Sequence, residues 1–421
     1  MMRSFWNSRA WRRAIGFGIV LAVACGREVP LEDRVERLLA KQDYGQALDL
    51  VAGELRKRPE AWPVHNLRVR VLLAAGQADE ALRAYAERYR PGGPDAPDLF
   101  RQIAMALVQE GLASGDGLLR ARAAAALAAL ASPDLLPVHR RALVHPDASV
   151  RALAVGALSG VSGEEAGRLM REALADPQAE VRAAAAAALT GRNDAETRAA
   201  LAQALQDPAP VVRLRAATAL ARQGWPEAIT LLTRFVREAD DSLRMQALEA
   251  LGHLGNRDVA PALRPVLQDS NPYVRIYAAE ALARLGEPLG REVLRQALRH
   301  PNRSVAMYTA EALSNLGDAS GAARLVEALV PGEDLSTRLY AAWTLARLGD
   351  HRGKPILDEL LQHEEMQVRM QATWTLGQMG DGVGVGSLRR ALTDEARPVR
   401  LQAAWALATT LRGGGAGGPG G

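Results

Sequence analysis

The sequence predicts an all-α protein in which two-helix repeats stack into a right-handed solenoid, an α-α superhelix, after a shorter helical region. The first observation is an arginine that returns every 31 residues, as at Arg151, Arg182 and Arg213. The second is an apolar column with the same period, as at Leu174 and Leu205, and with the same single one-residue insertion. Two columns that share one period and one insertion indicate a stacked repeat array.

Each repeat holds two predicted helices, joined by a turn rich in aspartate and proline. The second helix carries a phrase such as residues 212–220, whose alanines favour helix and allow close helix packing. Ten such repeats are predicted from residue 98 to residue 412. The repeat arginines are Arg120, Arg151, Arg182, Arg213, Arg244, Arg275, Arg338, Arg369 and Arg400, with Ala306 at the remaining position. This pattern resembles the HEAT repeat, especially the short bacterial form also found in phycobilin lyases; the resemblance implies a fold and little about activity.

Residues 31–90 carry a helical pattern with a different period. Ala47 and Leu48 recur 34 residues later as Ala81 and Leu82, each pair after a short turn. The pattern resembles the tetratricopeptide repeat, in which small residues let paired helices pack closely. The proline- and glycine-rich residues 91–97 predict a linker, and residues 413–421 predict a flexible glycine-rich tail.

The first 24 residues predict a cleavable secretion signal. Four arginines and no acid accompany an apolar run of eleven residues, 14–24. This run is too short for the roughly 20 residues of a membrane-spanning helix. The residues before Cys25, the only cysteine, resemble the bacterial lipobox. The resemblance implies lipidation of Cys25, a linker over residues 25–30, and a lipid-anchored place in the bacterial envelope, at the outer membrane facing the periplasm or at the cell surface. The alternative is a plain secretory signal with an incidental cysteine.

The charge balance gives no support for a nucleic-acid partner. The formal net charge is +4, but cleavage of the signal removes four of the 52 basic residues, and the chain has 48 acidic ones. The mature chain is therefore formally neutral, and we predict no nucleic-acid binding.

An acid or a histidine lies six residues before most repeat arginines. An aspartate near a helix N-terminus accepts unpaired backbone N–H groups, and the arginine is expected to bind the neighbouring repeat. The predicted structural ladder consists of Asp176, Asp207, Asp269, Asp394, Arg151, Arg182, Arg213, Arg244, Arg275, Arg369 and Arg400. His145, His300 and His363 occupy the same column and are therefore interpreted as structural residues rather than metal ligands.

The sequence predicts no catalytic residue, cofactor or metal. Deoxyhypusine hydroxylase, a HEAT-repeat enzyme, needs several His-Glu pairs for its iron atoms, whereas this chain has only His363-Glu364. Iron–sulfur ligation would need cysteines that are absent, and no glycine-rich phosphate loop follows a strand. An enzyme resembling the phycobilin lyases is the enzymatic alternative.

One column of the second helix predicts a binding groove. The position five residues after each arginine points some 140–160° away from the core side of its helix, and the position three residues earlier shares that face. The predicted groove residues are Trp343, Trp374, Trp405, Tyr277, Tyr308, Tyr340, Glu280 and Glu311. Repeats roughly 10 Å apart would let each aromatic ring take one side chain in three of an extended peptide. The alternative is that the tryptophans pack against one another and cap the last repeats.

The sequence therefore predicts a non-catalytic, membrane-anchored scaffold or adaptor that presents a concave groove to a protein or peptide partner in the cell envelope. A subunit of an envelope assembly or biogenesis machine is a second possibility. The insertion at residues 331–334 and the missing arginine at Ala306 also predict a flexible joint between repeats seven and eight. That joint would set apart an aromatic clamp formed by the last three repeats.

Overall fold

The computed structural model describes residues 29–88, 96–130, 136–379 and 382–413, and the regular elements within them are helices. The predicted signal, Cys25, most of both linkers and nearly all of the glycine-rich tail lie outside the described residues. The chain divides into two compact regions, residues 1–107 and 108–421. The dividing point lies inside the helix that begins the repeat array, ten residues beyond the predicted linker.

The N-terminal region contains two helical hairpins. Its helices are α1 (Leu31–Ala40), α2 (Tyr44–Lys57), α3 (Trp62–Ala74) and α4 (Ala78–Arg88). Asp43 caps α2 by accepting the backbone N–H of Gln46 at 3.1 Å, which fixes the start of that helix. Helix α2 packs against both α1 and α3, and α3 packs against α4. The small residues Ala47 and Ala81, which set the 34-residue period, are both fully buried.

Ten two-helix repeats occupy the described part of residues 97–413, and they confirm the predicted all-α solenoid. The first helices are α5 (Pro97–Leu112), α7 (Leu136–Leu143), α9 (Glu164–Glu172), α11 (Ala195–Ala204), α13 (Pro226–Phe235), α15 (Ala260–Leu263), α17 (Pro288–Ala297), α19 (Ala319–Glu327), α21 (Lys354–Leu360) and α23 (Val385–Ala391). The second helices are α6 (Gly117–Leu130), α8 (Ala148–Ala157), α10 (Ala179–Ala188), α12 (Pro210–Arg222), α14 (Asp241–Leu254), α16 (Pro272–Arg284), α18 (Arg303–Asn315), α20 (Leu335–Arg347), α22 (Met366–Gln378) and α24 (Arg397–Gly413).

Local signals in the sequence set where the second helices begin and end. Asn271 accepts the backbone N–H of Tyr273 at 2.9 Å and starts α16, with Pro272 as its first residue. Gly286 follows the end of α16 with a φ of 85°, in the left-handed region that a glycine adopts without strain. Glycines with positive φ recur near this point of successive repeats, at Gly224, Gly255, Gly286, Gly317 and Gly349.

The core lies between the second helices and the first helices that cover them. In α12, Val212, Ala216 and Leu220 are fully buried, as the repeated phrase predicts. Burying one such leucine or valine contributes roughly 1.5–3 kcal/mol. At Gly290 in α17, a Cβ atom would overlap the backbone of Ala279 in α16, so this close helix contact requires a glycine.

The second helices form a continuous layer that closes on itself. Each packs against the second helix of the next repeat from α6 to α24, and α24 packs in turn against α6 of the first repeat. At this closing junction, Arg397 Nη2 donates to Glu110 Oε2 at 2.9 Å, which joins residues 287 positions apart. Residues 399–408 of α24 are all buried. The repeat pattern in the sequence did not predict this contact.

Among the helices that the structure describes, none is both long enough and apolar enough to span a bilayer.

Candidate binding groove

Four of the predicted ladder arginines connect their repeat to the next one. The Nε and Nη2 groups of Arg182 donate to the carboxylate of Asp207 at 2.7 and 2.9 Å, and Nη1 donates to the carbonyl oxygens of Asp176 and Pro177. One arginine therefore closes its own turn and also holds the following repeat. The same cross-repeat pair forms between Arg151 and Asp176, Arg244 and Asp269, and Arg369 and Asp394.

The aspartates of the ladder have a second role in the turn. Asp207 Oδ1 also accepts the backbone N–H of Ala209 at 2.9 Å. The Arg182 guanidinium, followed by that backbone bond, holds the pKa of Asp207 below its ordinary value despite partial burial. Asp207 therefore stays ionised and bonded at neutral pH.

The ladder changes where an aspartate is replaced. His145, His300 and His363 accept the backbone N–H two residues later through Nδ1, which reproduces only the turn contact of the aspartate. Arg275 then donates to the carbonyls of Asp269 and Ser270, and Arg338 reaches Glu359 at 3.1 Å instead. Arg213 and Arg400 likewise donate to the two carbonyls of their own turns.

Within the described residues, no group of three or more potential metal ligands occurs.

Six of the predicted groove residues lie together in one concavity of about 440 Å³ on helices α14, α16, α18 and α20. These six are Tyr277, Glu280, Tyr308, Glu311, Tyr340 and Trp343. The concavity is also lined by Glu249, His253, Arg284, Asn315 and Arg347.

The aromatic rings of successive repeats contact one another. The ring centroids of Tyr273 and Tyr308 lie 5.2 Å apart, and those of Tyr308 and Tyr340 lie 5.3 Å apart. Within α20, the centroids of Tyr340 and Trp343 lie 5.6 Å apart. Trp343 stacks on Trp374 with centroids 6.1 Å apart. The ring centroids lie closer together than the roughly 10 Å expected between repeats, so the rings do not form separate platforms one repeat apart. The rings form a continuous aromatic wall across four repeats.

The three predicted tryptophans have different surroundings. Trp343 and Trp374 are half-buried in the aromatic wall. Trp405 is only 2 % exposed, in the helix that lies between α22 and α6. The expectation that Trp405 contacts a ligand is therefore corrected: it is a core residue near the closing junction, because its helix is packed on both sides.

The first charged pair of the groove joins Glu280 to Arg284, one helical turn later in α16. Arg284 Nη2 donates to Glu280 Oε1 at 2.7 Å. Burial raises the pKa of Glu280 above its ordinary value, and Arg284 opposes that rise. Burial, followed by the charge of Glu249, raises the pKa of Tyr277 to about 12. The phenol of Tyr277 therefore remains a hydrogen-bond donor at neutral pH.

The second charged pair crosses from repeat seven to repeat eight. Arg347 Nη1 donates to Glu311 Oε1 at 2.7 Å, and its guanidinium carbon lies 4.7 Å from the ring centroid of Trp343. The hydroxyl of Tyr340 donates to the other oxygen of Glu311. Burial and the charge of Glu311 raise the pKa of Tyr340 well above its usual range. The Glu311 carboxylate thus accepts bonds from a guanidinium and a phenol, and that guanidinium lies over the indole of Trp343.

This junction is the one predicted to be a flexible joint. The ladder is interrupted there because Ala306 replaces the arginine and Gly332 replaces the acid. Arg303 instead binds Glu333 at 3.0 Å, and the Glu311 contacts join the inner faces of the two repeats. The junction is therefore bridged by contacts that replace the ladder.

Sequence reasoning missed Arg284 and Arg347 as groove residues and Tyr273 as part of the aromatic wall. A signal for the two arginines was present, since they lie four residues after Glu280 and Trp343, a spacing that places both on the same helix face. The concavity therefore combines aromatic rings, the protonated phenols of Tyr277 and Tyr340, and two carboxylates that are paired with arginines.

The chain matches HEAT repeats at residues 104–190, 168–252, 235–314, 260–334 and 322–408, which together span most of its length. Human deoxyhypusine hydroxylase in complex with glycerol is similar at 23% identity over 59% of this chain and 97% of that chain, with a TM-score of 0.32. The complex of CpcE and CpcF of phycocyanin lyase from Nostoc is similar at 22% identity over 57% and 94%, with a TM-score of 0.35. A mutant of Kap121p is similar at 14% identity over 95% and 49%, with a TM-score of 0.32. No curated protein matches the chain.

Proposed function

The chain belongs to the HEAT-repeat proteins, and we propose that it acts as a non-catalytic scaffold or adaptor whose groove binds a peptide segment of a partner protein. The observation that carries this proposal is the aromatic wall of the groove. Tyr308, at its centre, leaves 38 % of its surface exposed although it contacts two other rings. Aromatic surface that remains uncovered in a folded protein usually marks a site of interaction.

The volume of the groove limits the size of the peptide segment that it can bind. About 440 Å³ is within the range of roughly 300–1,000 Å³ that ligand pockets occupy. The touching rings leave no separate platforms for successive residues of a long peptide. We therefore expect recognition of a short segment, with one or two side chains inserted against the rings.

We also propose that the scaffold is held at a membrane of the bacterial envelope through lipid on Cys25. The support is sequence alone: the sole cysteine follows a signal-like segment and a lipobox-like stretch. Each buried methylene of an acyl chain contributes about 0.8 kcal/mol, so several chains give a durable anchor. Labelled palmitate should enter the wild-type protein and fail to enter Cys25→Ser; no incorporation in the wild type would refute the anchor.

Site-specific photocrosslinking in intact cells tests the binding role. A photoreactive phenylalanine derivative at Tyr308 should trap a defined partner. The same group at Leu289, which is 43 % exposed on the first helix α17, serves as the matched control and should not trap it. Identical products at both positions, or none at Tyr308, would contradict a binding role for the groove.

A further inference from the structure

The three carboxylates of the groove are neutralised unequally, and this difference defines what the partner must supply. Glu249, Glu280 and Glu311 occupy the same position of three successive second helices, 31 residues apart. Arg284 binds Glu280, and Arg347 binds Glu311, both at 2.7 Å. Two of the three charges are therefore satisfied within the chain.

Glu249 differs from the other two. It lies exposed in α14 and lines the same concavity. The residue four positions later, where α16 has Arg284, is His253. In the part of the chain that the structure describes, the ion pairs do not include Glu249. With three carboxylates and two arginines, the groove keeps one negative charge without a fixed arginine partner.

Glu311 shows how a carboxylate of this groove pairs with an arginine that lies over an aromatic ring. Arg347 lies over the ring of Trp343 while its guanidinium binds Glu311. Glu249 lines the same concavity as Tyr277 and the exposed ring of Tyr308. The charge of Glu249 also contributes to the raised pKa of Tyr277, a residue that lines the same concavity.

We propose that the partner inserts an arginine side chain beside Tyr277 and Tyr308, where its guanidinium pairs with Glu249. This inference rests on the proposed binding role of the groove and names the partner chemistry. A guanidinium is planar and weakly hydrated, so it can stack on a tyrosine ring and bond a carboxylate at once. Such an arginine repeats, between two molecules, the arrangement that Arg347 makes within one.

Random linear peptides displayed on phage and selected on the full chain provide the test. The selected peptides should share an arginine, and Glu249→Gln should weaken their binding about tenfold or more, because it removes one partner of a charge pair. Glu227→Gln, on the exposed surface of α13, is the matched control and should bind as the wild type does. Circular dichroism and melting should be unchanged in both variants.

A second arm replaces the peptide arginine with citrulline, which keeps its shape without its charge. Citrulline should weaken binding to the wild type and have little further effect on Glu249→Gln, as expected for two groups that act as a pair. Peptides that need Tyr308 but tolerate both citrulline and Glu249→Gln would overturn the arginine inference and leave the binding role intact. Peptides that bind without any dependence on Tyr308 would overturn both.

Discussion

Repeats two to four and repeats six to eight are joined to their neighbours in different ways. In the first group, Arg151 and Arg182 each bind the aspartate of the next repeat. The position five residues after each repeat arginine, here called the inner column, holds the small residues Gly156 and Ala187. In the second group, His300, Ala306 and Gly332 interrupt the ladder, and the inner column holds glutamates and aromatic rings. The aromatic wall therefore lies in the repeats where the ladder is interrupted, and contacts of the inner face join those repeats.

The two kinds of connection differ in their exposure to solvent. The side chains of Arg182 and Asp207 are 14 and 10 % exposed, whereas in the groove pair Arg347 is 41 % exposed and Glu311 is 14 % exposed. A solvent-exposed ion pair contributes only about 0–1 kcal/mol, and a pair shielded from water depends far more on keeping both partners. We therefore assign stability chiefly to the ladder and the helix core, and binding chiefly to the exposed residues of the groove.

The largest expected effect on stability comes from Trp405, and a smaller one is expected from Trp374 at the same position of the preceding repeat. Trp405→Ala should destabilise the last repeats by about 3–5 kcal/mol, because it opens a cavity in a buried helix junction. Trp374→Ala should cost clearly less, since that ring is half-buried. Urea unfolding followed by circular dichroism measures both, and equal costs would contradict the difference in burial.

The second prediction concerns the removal of one cross-repeat ion pair of the ladder. Asp207→Ala leaves the guanidinium of Arg182 without its carboxylate and should cost about 2–3 kcal/mol. Glu238→Ala changes the same position of the next repeat, where the described bonds of Arg213 go to backbone carbonyls. This control should lie within about 0.5 kcal/mol of the wild type. Similar losses in both variants would show that the pair does not carry the coupling.

Acid should affect the two groups of repeats in opposite directions. The pKa of Asp207 is lowered from 3.8, so its contribution is complete above that value and is lost as pH falls below it. The pKa of Glu280 is raised from 4.5, so folding favours its protonated form, and α16 should become more stable as pH falls toward 4.5. Arg284, Glu311 and His253 act on the same carboxyl.

Hydrogen exchange, corrected for the intrinsic pH dependence of the amides, measures this difference. Protection of α16 should rise between neutral pH and 4.5, by at most about 1.4 kcal/mol per pH unit, while α12 stays constant. Glu280→Gln should abolish the rise. A loss of protection in α16 over that range would contradict the assigned pKa direction.

The ladder and the groove column could be predicted from the sequence because both depend on contacts between neighbouring repeats. Asp207 and Arg182 are 25 residues apart, and that spacing is repeated by each pair of the same kind. The burial of Trp405 and the contact between α6 and α24 could not be predicted, because they depend on a small rotation accumulated over ten repeats. The contact between the rings of Tyr308 and Tyr340 depends on side-chain conformations that the repeat pattern does not determine.

The most direct test of the division between ladder and groove measures stability and binding together in Asp207→Ala and Tyr308→Ala. Urea unfolding gives the free energy, and the peptides selected on the full chain report binding below the melting temperature. Asp207→Ala should lose about 2–3 kcal/mol and bind as the wild type does. Tyr308→Ala should lose less than about 1 kcal/mol, because its ring is partly exposed, and should fail to bind. Unchanged peptide binding by Tyr308→Ala, or a loss of binding in proportion to stability in both variants, would contradict the division.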